Sequence, residues 1–244
     1  MKWRTFDRAD ALSEEAARIF LQAIESNPRI VLGLPTGRSP LGMYERVVSQ
    51  CTRAYRCFRD VTTFNLDEYA GVPREHPGSY RSYMKQHLFD HVDLDPKNTH
   101  IPDGMAPDLD AECVRYEQAI HNAGGLDLTF LGLGRNGHIG FNEPGTPFDS
   151  RTRVVDLTPS TRAANAEFFP EGEVPSRAIT MGIGTILSSR AIVLIASGRG
   201  KVDAIERLRS HRIDRAFPAS ALWNHSRVTV LWTAAAVQKL CADA

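Results

Sequence analysis

Residues 131–145 read LGLGRNGHIGFNEPG. Gly132, Gly134 and Gly137 spell G-x-G-x-x-G, the nominal fingerprint of a dinucleotide-binding turn. That fingerprint needs its third glycine to lie in a helix that packs on a sheet. Here Gly137 is followed by HIGFNEPGTPF, and Gly140, Pro144, Gly145 and Pro147 leave no room for a long helix. Asp156 stands near the spacing of a ribose-binding acid, but the strand–helix–strand context is missing. The stretch is therefore read as a loop at a strand end and not as a nucleotide turn.

Working outward, the same stretch closes a short apolar run, DLTFLGLG (127–134). Similar runs occur as RIVLGLP (29–35), VTTFNLDEY (61–69), RAIVLIAS (190–197) and RVTVLW (227–232). Helical periodicity fills the intervals. Residues 11–26 place Leu12, Ala16, Ile19, Phe20 and Ala23 on one face, and further helices are expected over about 40–48, 79–90, 108–123 and 200–210. The first helix has no legible cap, because a capping box from Ser13 would need Glu or Gln where Ala16 stands. Strands separated by helices imply an α/β fold. The expectation is a single domain over residues 1–244, a mainly parallel sheet with helices on both faces. Residues 142–176, rich in Pro, Gly, Thr and Arg, are the least regular, and a mobile lid over a site is expected within them.

Lys plus Arg and Asp plus Glu number 29 each in 244 residues, so no bulk field draws the chain to nucleic acid or an anionic membrane. Cys51, Cys57, Cys113 and Cys241 lack C-x-x-C spacing and read as reduced thiols, with no disulfide framework or zinc site. The start, MKWRTFDRADAL, lacks a signal-peptide core, and no run approaches a membrane span. A cytoplasmic location is expected.

Ligands of open parallel sheets bind at the carboxyl ends of strands. After the first such strand come Thr36, Gly37, Arg38, Ser39 and Pro40. Ser39 reads as an N-cap and Pro40 as a first helical residue, and the free N–H groups, hydroxyls and Arg38 would make a phosphate cradle. A plain capped turn fits the same residues, and no G-K-[ST] makes it a P-loop. After the second strand stand Asp67 and Glu68, which point to opposite sides of an extended chain. One can serve as a general base while the other is a structural acceptor. The opening loop adds Asn136, His138, Asn142 and Glu143. Histidine moves protons near neutral pH and a carboxylate can orient it, although a histidine satisfied by a carbonyl fits equally. The H-x-x-x-x-E spacing is no metal motif, and no G-x-S-x-G elbow supplies a nucleophile. A phosphate anchor, a carboxylate and a His/Glu pair together suit acid–base rearrangement of a small phosphorylated metabolite.

These loops resemble the glucosamine-6-phosphate deaminases, of the glucosamine/galactosamine-6-phosphate isomerase family. The matching stretches are LGLPTGRSPLGMY (32–44), TTFNLDEYAG (62–71), HPGSY (76–80), LGLGRNGHIGFNEPGT (131–146), RAITMGIGTIL (177–187) and FPASAL (217–222), spread through nearly the whole chain. The phosphate loop alone would also suit the related 6-phosphogluconolactonases, but those follow their glycine loop with G-H-T-A-S-x-F, which GHIGFNEP does not match. The resemblance implies a Rossmann-like α/β fold and conversion of glucosamine 6-phosphate and water to fructose 6-phosphate and ammonia, with no metal or redox cofactor. It implies that His138 opens the sugar ring, that Glu143 and Asn136 orient and tune it, and that Asp67 carries a proton from C2 to C1. Thr36, Gly37, Arg38, Ser39 and Lys201 would hold the phosphate. The galactosamine epimer and a non-catalytic sugar-phosphate-binding regulator remain the alternatives.

The chain departs from the family pattern in three places. Asn136 stands where some members carry Asp, which leaves Glu143 as the one carboxylate beside the histidine. Glu167, in TRAANAEFF (161–169), stands where the family usually has a phosphate-binding Arg, and Arg38 stands where a small residue is common. Two readings follow: Arg38 replaces the missing charge and pairs with Glu167 in the empty enzyme, or Glu167 simply faces solvent. The longer allosteric branch has extra C-terminal residues and a basic residue near Val155. This chain resembles the short branch, for which a monomer or small homo-oligomer is expected.

Overall fold

Strand β1 (Lys2–Thr5) leads into helix α1 (Ala9–Ser26), β2 (Val31–Leu34), α2 (Arg38–Ala54), β3 (Thr62–Asn65) and β4 (Asp67–Tyr69). Next come α3 (Tyr80–His87), β5 (Thr99–His100), α4 (Leu109–Asn122), β6 (Leu128–Gly132), β7 (Arg153–Asp156) and α5 (Pro159–Asn165). The chain continues through β8 (Arg177–Thr180), α6 (Ile183–Leu187), β9 (Ala191–Ser197), α7 (Val202–Arg209) and β10 (Val228–Thr233). The computed structural model describes residues 1–54, 58–169 and 174–235, without the side chains at 52–54, 164 and 167. The pairing of Arg38 with Glu167 considered above therefore lies outside the described side chains.

Among the described residues, seven strands form one parallel sheet in the order β1-β10-β9-β6-β2-β3-β5. Both faces are covered. On one, Phe20 of α1 and Met43, Tyr44 and Val47 of α2 pack with Leu32, Leu34, Phe130, Val193 and Ile195. On the other, Tyr116 and Ile120 of α4, Ile186 of α6, and Ile205 and Leu208 of α7 pack with Leu131, Ile192, Leu194 and Val230. Consecutive strand residues thus enter opposite cores, which is why the central strands read as nearly unbroken apolar runs. The α/β expectation is met: one Rossmann-like domain built on a parallel sheet. No helix among the described residues is long and apolar enough to cross a membrane.

Two local expectations are corrected. The run 61–69 is two strands. Leu66 is the joint, donating its N–H to Leu34 (3.1 Å) and accepting that of Met181 (2.7 Å). Beyond it the chain leaves the parallel sheet, and β4 joins β8 and β7 in a separate antiparallel sheet, with Asp67 opposite Thr180. Helix α2 begins at Arg38, so Ser39 and Pro40 lie inside its first turn, where proline's missing N–H costs no helical hydrogen bond. Within 142–176, of which residues 170–173 lie outside the described residues, β7 and α5 are regular elements that its composition does not suggest. Pro159 starts α5, and Thr158 caps it by accepting the N–H of Thr161 (3.2 Å).

Candidate active site

The ends of β2 and β6 meet at the crevice, because these strands are neighbours in the sheet. Beyond β2, Gly37 takes φ 89°, which turns the chain sharply into α2. Two phenols fix this turn from behind: Tyr44 donates to the Pro35 carbonyl (2.7 Å) and Tyr83 to the Gly37 carbonyl (2.6 Å). The Thr36 side chain lies beside the Tyr80 phenol. A Cβ at Gly132 would lie 3.7 Å from that of Ser39, so the loop after β6 starts beside the first turn of α2.

The adjacent carboxylates of β4 have separate environments. Glu68 accepts the N–H groups of Tyr69 (2.9 Å), Tyr80 (2.9 Å) and Arg81 (3.0 Å), and so ties β4 to the start of α3. Asp67 is buried, and no hydrogen-bond donor among the described residues reaches it. Burial first, and the neighbouring Glu68 charge second, push its carboxyl up to about 8. Glu68 is itself raised to about 7 by burial, against the pull of its three N–H donors. A buried carboxylate without donors is poorly solvated and correspondingly basic.

The antiparallel sheet brings the histidine loop to Asp67. Thr180, opposite Asp67 in β8, accepts the N–H of Phe141 (3.1 Å). A Cβ at Gly140 would stand 3.0 Å from the Thr180 hydroxyl and 3.4 Å from Asp67 Oδ2. Within the loop, Asn136 Nδ2 donates to Glu143 Oε2 (2.6 Å), and Asn136 Oδ1 accepts the His138 N–H (3.2 Å). Glu143 Oε1 accepts from the Thr161 hydroxyl (2.7 Å) and lies 3.7 Å from His138 Nδ1. That ring nitrogen is buried and has no hydrogen-bond partner among the described residues. Burial lowers the affinity of His138 for a proton; Glu143 raises it and Lys201 lowers it further.

The opening glycines acquire their reasons here. A Cβ at Gly134 would sit 2.4 Å from the His138 ring, so only glycine lets the imidazole fold back over the strand end. Gly137 has φ 88°, and a Cβ there would strike Phe217 at 2.1 Å. The loop is clasped at this point, since Ala219 donates its N–H to the Gly137 carbonyl (2.8 Å).

Lys201 follows β9, the other neighbour of β6, in the 3-10 turn Arg199–Lys201. Neither Lys201 nor Arg135 has an acidic partner among the described residues, and burial together with Arg135 lowers the proton affinity of Lys201. The loops carrying Thr36–Ser39, Asp67, Asn136–Glu143 and Lys201 are thus neighbours at one sheet edge. Asn142 stands apart from the chemistry. Its Nδ2 donates to the carbonyls of Ile139 (2.9 Å) and Met181 (2.8 Å), and its Oδ1 accepts from Arg153 (2.8 Å). Sequence reasoning missed Thr161, Tyr80 and Phe217 as parts of the site. Only the quoted stretches HPGSY, TRAANAEFF and FPASAL marked their neighbourhoods.

A family model described as glucosamine-6-phosphate isomerases/6-phosphogluconolactonase matches residues 5–232. Glucosamine-6-phosphate deaminase of Lysinibacillus sphaericus is 51% identical over 233 residues, 95% of this chain and 98% of that protein. Glucosamine-6-phosphate deaminase 1 of Bacillus subtilis is 49% identical over 232 residues, 95% of each chain. The solved structure of a monomeric glucosamine-6-phosphate deaminase superposes with a TM-score of 0.93 at 48% identity, covering 96% of this chain and 97% of that one. A 6-phosphogluconolactonase from Thermotoga maritima superposes with a TM-score of 0.75 at 20% identity, covering 95% and 98%, a likeness of fold alone.

Proposed function

The chain belongs to the glucosamine-6-phosphate isomerase/6-phosphogluconolactonase family, and from that premise we propose that it is a glucosamine-6-phosphate deaminase. The reaction converts glucosamine 6-phosphate and water to fructose 6-phosphate and ammonia. His138 takes the proton of the anomeric hydroxyl and returns one to the ring oxygen, opening the pyranose to the aldehyde. Asp67 then removes the C2 proton, which the adjacent aldehyde acidifies, and delivers it to C1, while the C2 amine gives up a proton and O1 gains one. The resulting ketimine at C2 adds water and releases ammonia. Every step is a proton transfer or a hydrolysis, so no electrons leave or enter the sugar.

The observation that carries this reading is Asp67, a buried carboxylate without donors, at the same sheet edge as the His138–Glu143–Asn136 group. A base of raised proton affinity suits abstraction from carbon. Glu143 stabilises the imidazolium formed during ring opening, with Asn136 holding its far oxygen. Thr36, Gly37, Arg38, Ser39 and Lys201 take the phosphate, whose binding energy positions C1 and C2 against Asp67. The chain acts as a monomer in this reading, as the similar solved deaminase is described. Helix α5, within the stretch 142–176, serves as a cover tied to the site through Thr161.

Incubation with glucosamine 6-phosphate, galactosamine 6-phosphate and 6-phosphogluconolactone separates the alternatives. Ammonia and fructose 6-phosphate from the first substrate are expected. Ammonia from the galactosamine epimer alone would move the assignment to that sugar. Lactone hydrolysis without ammonia would move it to the lactonase branch, and binding without turnover would make the chain a regulator.

A further inference from the structure

The hydrogen-bonding capacity of Glu143 is divided in a way that the proposed mechanism leaves unused. Oε2 is taken by Asn136 (2.6 Å), and Oε1, the atom nearest the imidazole, is taken by the Thr161 hydroxyl (2.7 Å). His138 Nδ1, 3.7 Å from that same Oε1, is left buried and unpartnered. A buried ring nitrogen without a partner is costly, and a carboxylate stands almost within reach of it. The shared oxygen already carries another donor, the Thr161 hydroxyl.

That donor is not mobile surface decoration. Thr161 is buried in the first turn of α5, its N–H is bound by the capping Thr158, and the two hydroxyls are 3.0 Å apart. With Thr158 donating to it, the Thr161 hydroxyl turns its own proton to Glu143. The next residue, Arg162, pins the helix by donating to the Val174 carbonyl (3.1 Å). The charged groups facing the imidazole are Glu143 from its own loop and Lys201 from the turn after β9, with Arg135 behind Lys201.

We propose that Thr161 is a positioning residue for ring opening: by occupying Glu143 Oε1 it keeps the carboxylate from closing on His138, and so holds the imidazole neutral and ready to accept a proton. The consequence for the reaction rests on the deaminase reading, but the contact and its effect on the imidazole do not. Removing the hydroxyl would leave Oε1 with more uncompensated charge and free to close the gap to Nδ1. Both changes favour the protonated ring.

The test is an NMR titration of the His138 imidazole in the substrate-free protein, assigned by its loss in His138→Gln. Thr161→Val keeps the shape of the side chain and removes the donor; it should raise the midpoint by about one pH unit, the low end for a newly formed opposite-charge contact. Thr161→Ser keeps the hydroxyl and should titrate with the wild type. Should the valine variant fold poorly, Thr161→Ala carries the same expectation. A wild-type midpoint in the folded Val or Ala variant would overturn the proposal, as would a serine variant shifted equally. The titration needs no substrate, so its failure leaves the deaminase assignment standing. A wild-type protein that releases no ammonia would sink that assignment without moving the midpoint.

Discussion

Asp67 and Glu68 are consecutive, both buried, and opposite in their bonding: Glu68 accepts three backbone N–H groups, and Asp67 accepts none among the described residues. The extended chain of β4 enforces this division by turning the two side chains to opposite faces. Glu68 stabilises the join to α3. Asp67, buried and beside the Glu68 charge, keeps the raised proton affinity its proposed role requires.

That arrangement has a cost in stability. Folding raises the Asp67 carboxyl from 3.8 to about 8, so over this interval the folded chain holds a proton that the unfolded chain releases. Stability contributed at this site is therefore lost as pH rises between those values. Asp67→Asn carries no such proton and should melt near the wild-type temperature at about pH 4, but higher than it at about pH 8. The gap should widen by about 2–4 °C for each kcal/mol gained. Melting curves of both proteins across this range check it; a gap independent of pH would contradict it.

The same carboxyl should appear in the kinetics. The ratio kcat/KM reports groups of the free enzyme, so it should rise with pH and level off above about 8, where Asp67 is ionised. The substrate's ammonium favours the carboxylate in the complex, and the corresponding limb of kcat should fall at lower pH. A kcat/KM profile already flat from about pH 6 would contradict this.

Gly134→Ala tests the placement of the imidazole. The added Cβ would stand 2.4 Å from the ring, which must move, while the clasp between Ala219 and Gly137 remains. We expect kcat to fall about 100-fold, the effect of misplacing a catalytic group by about an ångström, with the fold retained. Unchanged kcat would show that the ring position is immaterial.

Lys201→Met should raise KM for the phosphorylated substrate by about tenfold or more, the loss of one charge-assisted contact. Removing that cation should also move the titration of His138 upward, since Lys201 is one of the two charges that face it. Arg38→Gly should raise KM in the same direction. Wild-type kinetics in both variants would remove these residues from the phosphate site.

Much of this was readable in the sequence, for physical reasons. The central strands are buried on both faces and stand out as apolar runs, and α1 shows its buried stripe of Leu12, Ala16 and Phe20. The failed nucleotide fingerprint was legible because Pro and Gly act locally. The break at Leu66 was not. Nothing in TTFNLDEY marks the point where a strand changes sheets, and only the long-range pairing with β8 makes it. The four-residue strands β7 and β8 were hidden for the same reason, being stable only as partners. Thr161 was invisible as a site residue, because a hydroxyl in a short polar helix acquires its role only when that helix folds over Glu143. Ser39 illustrates the reverse error: a good cap residue was displaced into the helix once Gly37 supplied the turn.

The central claim is that Asp67 moves the proton between C2 and C1, and the rate of ammonia release from glucosamine 6-phosphate by Asp67→Asn measures it most directly. The account predicts a loss of at least about 100-fold in kcat, the contribution of a positioned general base, in a variant that remains folded and binds the substrate. A folded Asp67→Asn variant that released ammonia at the wild-type rate would contradict it.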